Sequence, residues 1–94
     1  MSNIAHWLER VGMVMESIIR YRIVLGSYFD IISARKKIDE MNEKGIDCTI
    51  IEEVKNNMVN YKVVETKIYF KELALLEVNK LRYKKIYSFV EIID

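Results

Sequence analysis

The chain of 94 residues contains no proline, three glycines and a single cysteine. The absence of proline and the scarcity of glycine argue against linkers and disordered tails, so we expect continuous helices and strands. A single cysteine, Cys48, excludes an intrachain disulfide and a zinc site built from cysteines. Cys48 falls in an apolar run between Ile46 and Ile50, and this position predicts a buried, unreactive thiol.

Long apolar runs and an excess of charge of either sign are also lacking. No segment has the roughly 18 consecutive apolar residues of a membrane helix, and the start lacks the basic and apolar blocks of a signal peptide. We therefore expect no membrane insertion and a protein that stays in the cytoplasm, where it is made. The charged residues nearly cancel, to a net charge of +1, and this balance disfavours nucleic acid as a partner.

The sequence has no nucleophile motif, phosphate-binding loop, dinucleotide-binding glycine pattern or metal-spaced His and Cys cluster. Its only histidine, His6, would need an orienting partner and a cleft to act as a catalytic base. We predict that the protein is not an enzyme and needs no cofactor. RNA binding by exposed tyrosines is a weaker alternative, because the only basic cluster, within residues 80–85, also simply suits the end of a helix.

The first 19 residues have an amphipathic pattern. Apolar residues recur there at alternating spacings of four and three, as on one side of a helix. We predict an N-terminal helix over residues 1–19, followed by a domain over residues 20–94. The predicted contact surface of this helix consists of Ile4, Trp7, Leu8, Val11, Met15 and Ile18. The helix could pack on its own domain or pair with another chain, and both alternatives stay open.

The rest of the chain alternates between strand and helix periodicity. We predict strands over residues 20–27, 46–53, 59–68 and 86–93. The predicted first helix of this region is capped by Asp30 or Ser33 and ends before Gly45, which suits a left-handed cap. The predicted second helix spans residues 71–83, and Lys55, Asn56 and Asn57 are expected to form a turn.

This element order, βαββαβ, contains a strand-helix-strand unit twice, within residues 21–53 and 61–93. The fold class is therefore predicted to be α+β, with a ferredoxin-like four-stranded antiparallel sheet. Right-handed crossovers would place both helices on one face of the sheet and leave the other face free.

Two stretches of the sequence resemble a known family. Residues 21–28 read Tyr-Arg-Ile-Val-Leu-Gly-Ser-Tyr and precede a helix with Ala34 and a glycine, Gly45. The stretch Tyr-Lys-Val-Val at 61–64 precedes a second helix with Ala74. Together they resemble the SPOR (sporulation-related repeat) domain family, and the resemblance extends over about residues 21–93.

The resemblance implies a fold and a function. SPOR domains adopt a βαββαβ fold and bind peptidoglycan glycan strands stripped of stem peptides, using the open face of the sheet. A noncatalytic glycan-binding module is therefore expected. The residues implied for its binding face are Arg22, Val24, Tyr28, Lys62 and Val64. An aromatic ring can lie against the apolar side of a sugar while charged groups bond its hydroxyls.

Departures from the family pattern support an alternative. Val24 stands where the family has glutamine, and Glu65 stands where an inward apolar residue is expected, which predicts a bulge or one-residue shift in the third strand. An apolar sheet face and an apolar helix in one small chain favour burial against each other. The alternative is a small protein-interaction or assembly protein, such as a phage or mobile-element component, whose N-terminal helix and sheet face make homo- or hetero-oligomer contacts.

Overall fold

The computed structural model of the chain describes residues 19–93. Six elements follow one another in the order βαββαβ. They are β1 (Arg20–Tyr28), α1 (Ile31–Glu43), β2 (Cys48–Lys55), β3 (Met58–Glu65), α2 (Lys71–Tyr83) and β4 (Phe89–Ile93). The predicted N-terminal helix lies outside the described residues, together with its predicted contact surface of Ile4, Trp7, Leu8, Val11, Met15 and Ile18.

The four strands form one antiparallel sheet in the order β2-β3-β1-β4. The central strands β1 and β3 are the most buried, whereas β2 and β4 lie at the edges. The predicted α+β class, with a four-stranded antiparallel sheet and two helices, is confirmed.

A single buried core joins both helices to one side of the sheet. β1 contributes Ile23 and Leu25, and β3 contributes Val63. The helices, the segment before α2 and the segment after it complete this core with Ala34, Met41, Tyr69, Ala74, Val78, Leu81 and Ile86. Removal of these apolar side chains from water is the main force that holds the helices on the sheet.

Local signals in the sequence fix both ends of α1. Asp30 caps the first turn, because its Oδ1 accepts a hydrogen bond from the Ser33 N–H at 2.8 Å. At the other end Gly45 has a φ of +79°, and the Ile46 N–H donates to the Met41 carbonyl at 2.9 Å. Glycine adopts this left-handed conformation without steric cost. The predicted caps are therefore confirmed.

The same geometry ends α2, but with a different residue. Lys85 has a φ of +64°, and the Ile86 N–H donates to the Leu81 carbonyl at 2.8 Å. Lys85 thus occupies the position that Gly45 has after α1, in a conformation that costs a residue with a Cβ about 1–2 kcal/mol. The two strand-helix-strand units share one geometry at their helix ends.

Strand register differs from the prediction at one point. β2 and β3 pair without interruption up to Cys48 and Glu65, so the predicted bulge in the third strand is wrong. The irregularity lies in β1, where the pairing with β3 shifts between Val24 and Gly26. Because β1 has one extra residue at this point, Leu25 and Gly26 both face the helices. Each residue after Gly26 therefore lies on the side of the sheet opposite to the one that regular alternation would give it.

Candidate functional site

Four of the five residues predicted for the binding face lie on the side of the sheet opposite to α1 and α2, called the far face. Val24 pairs with Val64 there, and neither valine belongs to the core that the helices cover. Side chains alternate along a strand, so Arg22 and Lys62 share this side. Cross-strand pairs extend the far face, whose members include Arg22, Val24, Ile51, Glu53, Lys62, Val64, Phe89 and Glu91.

Tyr28 lies on the other side of the sheet. Beyond the bulge in β1, Tyr28 pairs with Tyr61 and packs against the helix-covered core. Its ring lies over Gly26, where an added Cβ would be 2.6 Å from the Tyr28 hydroxyl oxygen. Burial and, secondly, the charge of Glu40 raise the pKa of Tyr28. The prediction that Tyr28 shares a binding face with Arg22 is therefore wrong, because a one-residue bulge turns every later side chain over.

Lys62 is the centre of an ion-pair network on the far face. Only 8% of the residue is exposed, and its Nζ donates to Glu53 Oε2 at 2.8 Å and to Glu91 Oε2. Burial alone would lower the pKa of Lys62, but these two hydrogen bonds raise it overall. The bond from Lys62 in turn holds the pKa of Glu53 below its usual value. The ammonium group thus ties β3 to both edge strands.

Arg22 is drawn into the same network. It lies directly opposite Glu91 across β1 and β4, with its Nε 3.6 Å from Glu91 Oε1. This nitrogen is buried and has no hydrogen-bond partner among residues 19–93. Arg22 and Lys62, the two cations predicted to contact a ligand, are therefore both engaged by Glu91 within the sheet.

An aromatic pair stands at the β4 edge of the far face. The ring centroids of Tyr87 and Phe89 are 6.3 Å apart with an interplanar angle of 61°, an edge-to-face arrangement. Tyr87 is 74% exposed and Phe89, opposite Val24, is 41% exposed. Phe89 was not among the predicted site residues, although its alternation with Tyr87 and Glu91 could have placed it on this side.

A second exposed surface lies on α2. Leu73, Leu76 and Tyr83, spaced by three and seven residues, lie along one side of the helix and form what we call the outer stripe. Their exposed fractions are 54%, 62% and 89%. The opposite side of α2 supplies core residues. Helical periodicity alone does not distinguish the two sides, because both are apolar.

Within residues 19–93, no three His, Cys, Asp or Glu side chains are grouped so as to hold a metal ion. Neither described helix is long and apolar enough to cross a membrane. Comparison with protein-family models, with curated proteins and with solved structures gave no significant match.

Proposed function

We propose that the chain is a noncatalytic assembly protein that binds a second copy of itself through the outer stripe of α2. The observation that carries this proposal is that α2 has two apolar sides, of which only one is covered by the other residues of the range 19–93. Leu73 and Leu76 are each more than half exposed although the helix already contributes to the core. An exposed apolar surface on a small domain is typical of an interaction site.

The far face supports a structural role for its charges rather than ligand binding. Lys62 is almost fully buried, and its ammonium donates to two carboxylates of the same sheet. A cation held in this way offers few donors to a sugar hydroxyl. The aromatic ring expected beside it, that of Tyr28, faces the helices instead.

The N-terminal segment is the proposed complement of the outer stripe. The sequence of residues 1–19 predicts a helix with an apolar side of its own, and two such helices bury their stripes by interdigitating side chains. In this proposal, Leu8 and Val11 of one copy pack against Leu73 and Leu76 of the next.

Sedimentation velocity on the full chain tests the proposal. The wild-type chain is expected to form a defined oligomer, and Leu76→Glu to dissociate it by placing a charge in the apolar contact. Leu75→Glu is the matched control, since Leu75 is 50% exposed but lies about 100° around the helix from Leu76. Leu8→Glu is expected to act like Leu76→Glu. A monomeric wild-type chain would reject self-association, and equal effects of the two α2 variants would reject the outer stripe as the contact.

A second candidate, glycan binding of the SPOR type, is favoured by the aromatic pair. Tyr87 and Phe89 present ring surface beside charged groups, an arrangement suited to the apolar side of a sugar. The strand order β2-β3-β1-β4 is compatible with the ferredoxin-like arrangement that the resemblance implies. In this version the rings of Tyr87 and Phe89, and not that of Tyr28, would hold the glycan.

Co-sedimentation with bacterial sacculi tests this candidate. Binding should be stronger to amidase-stripped walls than to untreated walls, and Phe89→Ala should abolish it. Tyr83→Ala is the control, because Tyr83 is 89% exposed but lies on α2, away from the far face. Absence of binding to either wall, or equal losses in both variants, would exclude a glycan site at the aromatic pair.

A further inference from the structure

A buried carboxylate lies where the sheet ends against α2. Glu65, the last residue of β3, is 6% exposed. Its Oε1 accepts a hydrogen bond from the Tyr69 hydroxyl, while its Oε2 is buried without a hydrogen-bond donor among the described residues. Tyr69 is held in place by two backbone hydrogen bonds with Tyr21, of 2.8 and 2.9 Å. An ionised carboxylate with an unsatisfied buried oxygen destabilises a fold.

Glu77 of α2 lines the same pocket as Glu65, and its hydrogen bond and charge raise the pKa of Glu65. Two ionised carboxylates have only acceptors, so a hydrogen bond between them requires that one of them carries a proton. A shared proton would satisfy Glu65 Oε2 and remove the repulsion between two like charges.

The surroundings favour a proton over a metal ion or an organic cation. A pocket of about 360 Å³ adjoins Glu65 and Glu77, and its charged lining residues are otherwise Asp47, Lys67, Lys80 and Lys84. Three lysines repel a cation, and residues 19–93 contain no third acidic, His or Cys ligand in range. Cys48, directly paired with Glu65 on β2, completes the titratable groups that face it.

We propose that Glu65 and Glu77 share one proton that holds α2 against the end of the sheet, and that loss of this proton loosens the contact. Burial, followed by the hydrogen bond and charge of Glu77, raises the pKa of Glu65 to about 7, whereas the Tyr69 hydroxyl and Lys67 oppose this rise. The inference is independent of the proposed self-association, because it concerns residues inside one chain.

The sign of the pH effect follows from the direction of the shift. A carboxyl whose pKa is raised on folding binds its proton more tightly in the folded chain than in the unfolded chain. The stabilisation is complete below the usual value of 4.5 and is lost as the pH rises to about 7. Above that pH, stability should level off. The chain is therefore expected to be most stable on the acidic side of neutrality.

Thermal unfolding of the full chain between pH 5 and pH 8 tests the proposal. His6→Gln is used as the background, because His6 is the only histidine and would titrate in the same range. The Tm is expected to be about 10 °C higher at pH 5 than at pH 8. Glu65→Gln mimics the protonated acid, so its Tm should change little with pH and should exceed that of the background at pH 8.

Two further variants make the result decisive. Glu77→Gln supplies an amide donor to Glu65 and should also flatten the pH dependence, so it decides the outcome if Glu65→Gln fails to fold. Glu72→Gln, an exposed change on the same helix, should leave the pH dependence intact. A Tm that is equal at pH 5 and pH 8, or a pH dependence retained in both Glu65→Gln and Glu77→Gln, would overturn the proposal. Measurement at two protein concentrations separates this effect from any change in association.

Discussion

Replacement of Lys62 by methionine tests whether the ion pairs of the far face hold the sheet together. Methionine keeps most of the apolar stem but removes the ammonium group, so Glu53 and Glu91 lose the cation that both accept from. Loss of one partner of a fully buried ion pair costs about 3–5 kcal/mol. Here the carboxylate side chains are 35% and 31% exposed, and water can partly solvate them after the change.

We therefore expect Lys62→Met to lower the free energy of unfolding by about 2 kcal/mol, which lies between the buried and the surface cases. For a chain of this length, such a loss lowers the Tm by about 8–16 °C. Urea unfolding at pH 7, followed by far-UV circular dichroism, measures it. The slope of the transition should stay unchanged, because the area exposed on unfolding is nearly the same.

Lys44→Met is the matched control for this experiment. Lys44 Nζ is 3.9 Å from Glu40 Oε2 at the end of α1, and both side chains are about half exposed, at 47% and 52%. A surface pair of this kind contributes at most about 0.5 kcal/mol. If Lys62→Met costs no more than Lys44→Met, the network does not stabilise the sheet and its description as a structural element fails. Adding Glu53→Gln to Lys62→Met should recover part of the loss, because Glu53 has no ion pair other than that with Lys62 within residues 19–93.

Three smaller predictions concern single positions. Gly26→Ala should lower the free energy of unfolding in urea by about 1 kcal/mol, because the added Cβ would displace the Tyr28 ring. The loss should be smaller in a Tyr28→Ala background, and an equal loss in both backgrounds would contradict the contact. Lys85→Gly should stabilise the chain by about 1 kcal/mol through relief of its left-handed conformation, and a lower Tm would refute this. Burial is the largest cause that raises the pKa of Cys48 to about 11, followed by the charges of neighbouring acidic residues. At pH 8 the reaction of Cys48 with an aromatic disulfide reagent should therefore be about 100-fold slower than in the urea-unfolded chain.

Sequence reasoning predicted the elements that depend on neighbouring residues. The helix over residues 71–83 is found with the predicted bounds, and Asn56 and Asn57 form the predicted turn with φ values of 53° and 64°. A few neighbouring residues are enough to recognise helical periodicity, a capping side chain, or an asparagine suited to a left-handed conformation. The Asp30 cap belongs to the same group.

Features that depend on pairing between distant strands were not predictable in this way. Lys62 donates to Glu53 and Glu91, which lie 9 and 29 positions away along the chain. No local sequence pattern specifies which carboxylates contact Lys62. The site of the bulge was also misplaced. Glu65 is a charged residue in an apolar strand, and for that reason a bulge was predicted there. β3 nevertheless continues through Glu65, whose buried carboxylate accepts a hydrogen bond from the Tyr69 hydroxyl.

The bulge in β1 decides how far the family resemblance can guide the search for a site. The Gly-Ser-Tyr stretch that carries much of the resemblance lies just after the register shift, so its aromatic residue belongs to the helix-covered side. The aromatic rings nearest the far face come instead from Tyr87 and Phe89, in the second strand-helix-strand unit. When a strand gains one residue at a bulge, the side chains that follow the bulge change to the opposite side of the sheet, although the sequence of the motif stays the same. The sequence of residues 21–28 therefore does not by itself show which side of the sheet Tyr28 occupies.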